Sequence, residues 1–357
     1  MQTVTDVPVC ALNRRSLLKL TGATAAVLGA TALPGGAAIA QGTDAWDKTF
    51  PRSDRADHCK VAYTNRLGIR LVADLYSPRN WDRSRRHPAL VVGTPFGAVK
   101  EQASGLYAQT MAERGFVAIA HDPSYVGESG GKPHRTASFE ALVEDFSAGV
   151  DQLGRLPFVD RERIGVLGVC GSGGFGLAAA QVDPRIKAVA TVAMYDIGQA
   201  MRQGLADRLD LSAFRRNLDA VAAQRWAEVD GAAPLMASGT PERLTTDSTA
   251  IDREFFDYYR TPRGSHPRAT TAFLRTSHAP MALGSAFDHL DWISPRPLLF
   301  VTGDRAHSRA FSEQAFRLAA DPKELLVVPN AGHVDLYDGV DLIPFDKLDA
   351  FFRTHLA

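Results

Sequence analysis

The chain has 357 residues, of which 45% are hydrophobic and 22% charged, and its 40 basic side chains balance 40 acidic ones. This length and apolar content are enough for one large domain with an insertion, or for two domains. No lysine- or arginine-rich patch follows the N-terminal segment, so we expect no nucleic-acid partner.

The N-terminal segment has the pattern of an export signal. Residues 13–19 read Asn-Arg-Arg-Ser-Leu-Leu-Lys, a twin-arginine pattern, and an alanine-rich run then leads to Ala-Ile-Ala at residues 38–40. Glycine and proline break this run, so we expect no stable membrane anchor. We predict a signal peptide over residues 1–40, exported by the twin-arginine (Tat) machinery to the periplasm or the cell exterior, and a polar leader over 41–57.

The next segments alternate between strand and helix patterns. An antiparallel edge hairpin is predicted over residues 59–65 and 69–76. Further strands are predicted at 89–93, at 116–120, over the apolar run that ends at residue 169, and at 186–194. Helices are predicted at 101–114, at 138–153 and after residue 172. This alternation is typical of a parallel sheet covered by helices on both faces.

Residues 196–291 interrupt the alternation. They show helical spacing over 209–226 and an aromatic cluster at 255–259, which we interpret as an inserted helical cap. Strands at 297–302 and 324–328 and helices at 311–319 and 342–355 then resume the pattern. The predicted fold is therefore α/β, with a mostly parallel central sheet whose core spans residues 58–195 and 292–357.

Glycines crowd the turn that follows residue 169, which reads Cys170-Gly171-Ser172-Gly173-Gly174. A strand that turns sharply into a helix holds its apex residue in strained geometry and needs small neighbours. We predict Ser172 at the apex as a nucleophile, with the N–H of Gly173 stabilising an oxyanion. Cys170 is the alternative nucleophile, because it also has small residues two positions away and a thiol is intrinsically more reactive.

Two other interpretations fit the same turn. Residues 171–176 match G-x-G-x-x-G, and Asp196 ends the next strand where a dinucleotide-binding protein places its ribose-binding acid. Alternatively, the glycines serve only close packing between the helix and the strand.

Residues elsewhere in the chain favour the hydrolase interpretation. Serine attack on a carbonyl needs a base and an acid that orients it. His333 follows the last predicted strand and is the predicted base, and Asp304 follows the strand before it and is the predicted acid, with Asp196 as the alternative. The loop after residues 89–93 offers the N–H of Phe96 as a second oxyanion donor. We expect no cofactor and no metal.

Several motifs then point to a family. Thr94-Pro95-Phe96-Gly97, residues 125–131, the glycine turn, residues 293–297, Ala306-His307-Ser308 and residues 331–338 together resemble a bacterial α/β-hydrolase family. That family is related to dienelactone hydrolases and acetyl xylan esterases and is similar to fungal polyketide transferases. The resemblance implies the α/β-hydrolase fold and, by motif position, a triad of Ser172, Asp304 and His333. The chain departs from the pattern at Thr94, where we expect histidine, and at Cys170, where most esterases have glycine.

The sequence therefore predicts an exported serine hydrolase that cleaves a small-molecule carboxylic ester, thioester or lactone through an acyl-enzyme. An acyltransferase would use the same triad. Less favoured alternatives are an NAD(P)-binding oxidoreductase that uses the glycine turn and a binding protein without catalysis.

Overall fold

The alternating patterns produce a single eight-stranded sheet with helices packed on it. The structure, a computed structural model, describes residues 46–205, 209–237 and 239–357. The predicted signal peptide and the first part of the predicted leader lie outside the described residues.

The strands are arranged in the order β1-β2-β4-β3-β5-β6-β7-β8. Their bounds are β1 (Ala56–Thr64), β2 (Arg70–Pro78), β3 (His87–Gly93), β4 (Val117–His121), β5 (Val159–Val169), β6 (Val189–Val192), β7 (Leu298–Gly303) and β8 (Lys323–Val328). β2 pairs antiparallel with both β1 and β4, and all the other pairs are parallel. The predicted α/β class and the antiparallel edge hairpin are confirmed, although β1 begins inside the predicted leader.

The helices follow the predicted pattern closely. Their bounds are α1 (Ala103–Glu113), α2 (Phe139–Gly154), α3 (Gly171–Val182), α4 (Ile197–Gln203), α5 (Leu211–Val229), α6 (Ala250–Tyr259), α7 (His278–Met281), α8 (Arg309–Leu318), α9 (Asp335–Asp338) and α10 (Phe345–His355). Ser138 caps α2 by accepting a hydrogen bond from the Ala141 N–H, as expected of serine at this position. Within the described ranges, every helix is too short or too polar to span a bilayer.

One strand is much shorter than predicted. The apolar run suggested a strand over residues 186–194, but β6 covers only Val189–Val192. The Ile186 N–H instead closes a turn on the Asp183 carbonyl, and Ala193 adopts φ 46°, which ends the extended backbone. The described residues between β6 and β7 form α4–α7 and short 3-10 turns, and residues 48–357 form one compact unit. The boundaries between core and cap stay a prediction.

Strand register brings the functional loops together. Gly93 pairs with Gly168 at the ends of β3 and β5, Val169 pairs with Val192, and Gly303 pairs with Val328. Because parallel strands end at the same edge of a sheet, the segments that follow β3, β5, β7 and β8 meet there. Ligands of open α/β sheets bind at this edge.

Candidate active site

The residue at the apex of the glycine turn is Cys170. It follows β5 directly, has φ 56° and ψ −124°, and precedes the first residue of α3. Ser172 instead lies inside the first turn of that helix, so the prediction that Ser172 stands at the apex is wrong. The strained conformation depends on small neighbours, because a Cβ at Gly168 would lie 2.3 Å from the Ser172 carbonyl oxygen.

Three hydrogen-bonding groups surround the Cys170 sulfur: the backbone N–H groups of Phe96 and Gly171 and the hydroxyl of Tyr337. The thiol is free and 5% exposed. Burial raises the pKa of this thiol and the hydrogen bonds lower it; burial prevails, and the pKa is about 11. The Phe96 N–H, predicted as an oxyanion donor for attack by Ser172, points at the Cys170 sulfur instead. The Gly173 N–H, the other predicted donor, donates to the Cys170 carbonyl at 2.9 Å.

The imidazole of His333 is fully buried in the loop after β8, in the same cluster. Its Nε2 lies 2.9 Å from the Tyr337 hydroxyl, and its Nδ1 lies 2.7 Å from Ser308 Oγ. Burial, together with the neighbouring His307, holds the pKa of His333 well below its ordinary value. The structure therefore pairs a neutral imidazole with a neutral thiol, and the Tyr337 hydroxyl hydrogen-bonds both.

Both predicted acids lie elsewhere. Asp304 follows β7 as expected, but it is exposed. The buried carboxylate of Asp196 caps α4 by accepting from the Gln199 N–H at 2.9 Å, and it also accepts from the Ala286 N–H at 3.0 Å. Ser308 occupies the position at Nδ1 where an acid was expected.

A carboxylate from the insertion does support the histidine loop. Glu254, on α6, accepts hydrogen bonds from the backbone N–H groups of His333 and Val334, the latter at 3.0 Å. It also binds His307 Nδ1 at 2.8 Å, and the other nitrogen of that ring bonds the Tyr195 hydroxyl. Burial raises the pKa of Glu254, but these hydrogen bonds outweigh it and keep the pKa below the ordinary value.

Ser172 lies in the wall of a small cavity. The cavity has a volume of about 10 Å³, close to the room that one water molecule needs. Aromatic rings form much of its wall, with polar groups from Ser172, Thr94 and His121. Burial lowers the pKa of His121 to about 4, so this histidine is neutral. The Phe96 side chain also lines the cavity, which therefore adjoins the residue whose N–H reaches the sulfur.

A buried ion network fixes the end of the Phe96 loop. The carboxylates of Glu101, Asp122 and Glu128 converge, and the Lys100 ammonium binds them at 2.5, 2.9 and 2.5 Å. The Lys100 N–H also donates to Asp122 at 2.8 Å. This set of carboxylates could hold a cation, but here Lys100 supplies positive charge, and Arg268 and Lys60 add charge at Glu101 and Glu128.

The glycines of the turn are required by contacts within the protein. A Cβ at Gly173 would lie 2.6 Å from Met194 Cβ, and one at Gly174 would lie 2.4 Å from the Tyr195 carbonyl oxygen. The packing interpretation therefore accounts for the G-x-G-x-x-G pattern, and Asp196 is occupied in capping α4.

Sequence reasoning missed four residues of this site: Gly171, Glu254, Ser308 and Tyr337. Gly171 follows the alternative nucleophile, so placing Cys170 at the apex would have identified its N–H. Ser308 and Tyr337 fall within quoted motifs, and Tyr337 is four residues after His333, a spacing that favours contact within a helical turn. Nothing in the pattern of the insertion singled out Glu254.

Comparison with known proteins places the chain in a wider group. A family profile described as X-Pro dipeptidyl-peptidase (S15 family) matches residues 68–259. An uncharacterised protein of Pseudomonas aeruginosa is 51% identical over 317 residues, which cover 88% of this chain and 85% of that protein. The crystal structure of a hypothetical Pseudomonas aeruginosa protein matches with a TM-score of 0.85 and 50% identity, over 88% of this chain and 98% of the other.

Two fungal proteins are more distant. The Penicillium polyketide transferase GrgF is 25% identical over 315 residues, 87% of this chain and 98% of its own. Its crystal structure, described as an α/β hydrolase, shares the fold with a TM-score of 0.69 and 22% identity, over 84% and 99% of the two chains. A thiohydrolase of Eupenicillium brefeldianum is 25% identical over 274 residues, 75% of this chain and 86% of its own.

Proposed function

We propose that this chain, which belongs to the S15 peptidase family of α/β-hydrolase enzymes, cleaves carboxylic esters and thioesters through an acyl–Cys170 intermediate. One observation carries the proposal: Cys170 occupies the strained apex, and the N–H groups of Phe96 and Gly171 point at its sulfur. Donors in this position stabilise the oxyanion that forms when the apex residue attacks a carbonyl. The nucleophile is therefore cysteine rather than the predicted Ser172.

The proposed reaction has two halves. The Cys170 thiol gives its proton toward His333, and the sulfur attacks the carbonyl carbon while the two N–H groups hold the developing negative charge. The intermediate collapses, an alcohol or thiol leaves with a proton, and the acyl group stays on sulfur. Water then releases the acid and restores the thiol. His333 acts as the base, and Ser308 takes the orienting position at Nδ1 that Asp304 was predicted to fill.

Thioesters are the preferred substrate class because the Eupenicillium relative is named a thiohydrolase and aligns with most of this chain. A panel of acyl-N-acetylcysteamine thioesters and p-nitrophenyl esters tests this preference. An X-Pro p-nitroanilide in the same panel tests the reaction named in the family description.

Replacement of each candidate nucleophile tests the mechanism. We expect Cys170→Ala to lose at least about a thousandfold in kcat/KM, as removal of a catalytic nucleophile does. The matched variant Ser172→Ala should stay within about tenfold of wild type, because the hydroxyl only lines the cavity. Intact-mass analysis of protein quenched during turnover should show one acyl group on wild type and none on Cys170→Ala. An acyl group that persists in Cys170→Ala and is lost in Ser172→Ala would restore the serine hypothesis.

Acyl transfer is the second candidate. Cys170 is 5% exposed and His333 fully buried, so water reaches the reacting groups poorly, and a relative is named a polyketide transferase. Alcohols or amines added at increasing concentration should divert the acyl group from acid to new ester or amide. If acid remains the only product at saturating acceptor, the reaction is hydrolysis.

Export by the Tat machinery is a separate proposal, supported by the twin arginines at residues 14 and 15. Replacing both arginines with lysine should keep a tagged precursor in the cytoplasm, whereas the wild-type protein should fractionate with the periplasm or medium.

A further inference from the structure

The Tyr337 hydroxyl stands between the two groups that must exchange a proton. It lies 2.9 Å from His333 Nε2 and also hydrogen-bonds the Cys170 sulfur. All three side chains are nearly or fully buried. Tyr337 belongs to the short helix α9, four residues after His333, so the same turn of chain fixes both groups.

The distances in this cluster fit one arrangement of protons that a relay can use. Ser308 Oγ lies 2.7 Å from His333 Nδ1, and it can accept the Nδ1 proton while donating its own to the Ala193 carbonyl oxygen at 3.4 Å. In this tautomer of His333 the Nε2 lone pair is free. The Tyr337 hydroxyl then donates to Nε2, and the lone pairs of its oxygen remain to accept the proton of the Cys170 thiol.

We propose that Tyr337 is a catalytic residue that relays the proton from Cys170 to His333; this inference rests on the proposed function. In the forward step the S–H bond breaks and its proton moves to the Tyr337 oxygen, while the original tyrosine proton moves to His333 Nε2. The sulfur electron pair forms the bond to the carbonyl carbon, and the carbonyl electron pair moves to oxygen. When the intermediate collapses, the His333 proton returns through Tyr337 to the departing oxygen or sulfur.

A relay keeps tyrosine neutral throughout. Burial, followed by the nearby Cys170, holds the pKa of Tyr337 well above its ordinary value, so a free tyrosinate is disfavoured. The hydroxyl avoids that state because it gains one proton as it gives up another. The competing possibility is that Tyr337 merely separates sulfur from imidazole and must move away before they react. The two possibilities predict opposite effects of removing the hydroxyl.

The test compares Tyr337→Phe with Tyr107→Phe. Tyr107 is the matched control because its buried hydroxyl also makes one strong hydrogen bond, to the Leu336 carbonyl oxygen at 2.7 Å. We expect Tyr337→Phe to lower kcat/KM for a thioester by about a hundredfold, a common contribution of proton transfer. Tyr107→Phe should keep wild-type rates. Rates for Tyr337→Phe equal to or above wild type would overturn the relay.

A second measurement needs no variant. The dependence of wild-type kcat/KM on the D2O fraction should curve, because two protons move together; a linear dependence would overturn the relay even if Tyr337→Phe fails to fold. The outcomes also separate the two proposals. Full activity in Cys170→Ala would refute the acyl-cysteine mechanism itself, whereas an inactive Cys170→Ala beside a fully active Tyr337→Phe would refute only the relay.

Discussion

Two opposing effects set the state of the Cys170 sulfur. Burial disfavours the thiolate, while the N–H groups of Phe96 and Gly171 and the Tyr337 hydroxyl stabilise it, and burial dominates. Burial also keeps His333 neutral. This pair therefore differs from a thiolate–imidazolium pair, which would hold the nucleophile ionised before substrate arrives.

The first prediction concerns the pH dependence of this thiol. Because the pKa of Cys170 is raised to about 11, its ionised fraction should grow by about tenfold per pH unit up to pH 10. The rate of Cys170 alkylation by iodoacetamide, followed by peptide mass analysis, should rise in parallel without a plateau. A plateau below pH 8 would instead indicate an ionised pair.

The second prediction concerns the partner of the histidine. Ser308→Ala removes the acceptor of the buried Nδ1 proton, which costs about 1–3 kcal/mol. We expect kcat/KM for a thioester to fall by about tenfold or more. Asp304→Asn should leave it within about twofold, because this side chain is exposed. Strong loss in Asp304→Asn with normal activity in Ser308→Ala would reinstate the predicted acid.

Sequence analysis left two candidate nucleophiles and preferred Ser172, whereas the proposed mechanism uses Cys170 because that residue lies at the apex of the turn. Cys170 and Ser172 both lie among small residues, and the choice depends on whether the strand ends at residue 169 or two residues later. A glycine-rich pattern does not determine where the strand ends. Ser308 was overlooked because the expected partner of a catalytic histidine is a carboxylate, whereas the group beside His333 Nδ1 is a hydroxyl.

At the scale of elements, the junction of β5 and α3 depends on a backbone contact. The third prediction is that Gly168→Ala lowers the free energy of unfolding by about 1–3 kcal/mol, because its Cβ would lie 2.3 Å from the Ser172 carbonyl oxygen. Turnover should fall as the apex shifts. Gly154→Ala is the control: the nearest atom is 3.5 Å away, so alanine in α2 should be neutral or stabilising. Urea denaturation measures both, and equal stabilities would contradict the expected clash.

Helix α6 connects the insertion to the histidine loop through Glu254. The fourth prediction is that Glu254→Gln lowers kcat/KM by about tenfold, since an amide oxygen binds the His333, Val334 and His307 N–H groups more weakly than a carboxylate does. Glu242→Gln is the control, because Glu242 is 83% exposed and should behave as wild type. Unchanged turnover in Glu254→Gln would show that the loop is held without the insertion.

Periodicity predicted the core strands and helices because parallel strands buried on both faces form continuous apolar runs. β4 and β7 show such burial along their whole length. The same apolar signal made the predicted strand at β6 too long, because buried turns such as those before Val189 and at Ala193 are also apolar. The supporting role of α6 could not be predicted, because it depends on how the insertion packs against a loop about 80 residues later.

For the molecule as a whole, the buried network around Lys100 joins the loop after β3 to the loop after β4. The fifth prediction is that Lys100→Met lowers the free energy of unfolding by about 3–5 kcal/mol, because it leaves the buried carboxylate of Asp122 without its counter-charge. Lys187→Met, which breaks an exposed pair with Glu162, should cost less than about 1 kcal/mol. Chemical denaturation followed by circular dichroism measures both, and similar losses would contradict a structural role for this network.

The covered sulfur has a consequence for chemical durability. Peroxides oxidise thiolates rather than thiols, and with a pKa of about 11 only about one Cys170 in ten thousand is ionised at pH 7. An ordinary exposed cysteine has a pKa of about 8.5, so its ionised fraction at pH 7 is about several hundred times larger. The enzyme should therefore survive an oxidising environment and keep its activity without added reductant, even though the proposed nucleophile is a cysteine.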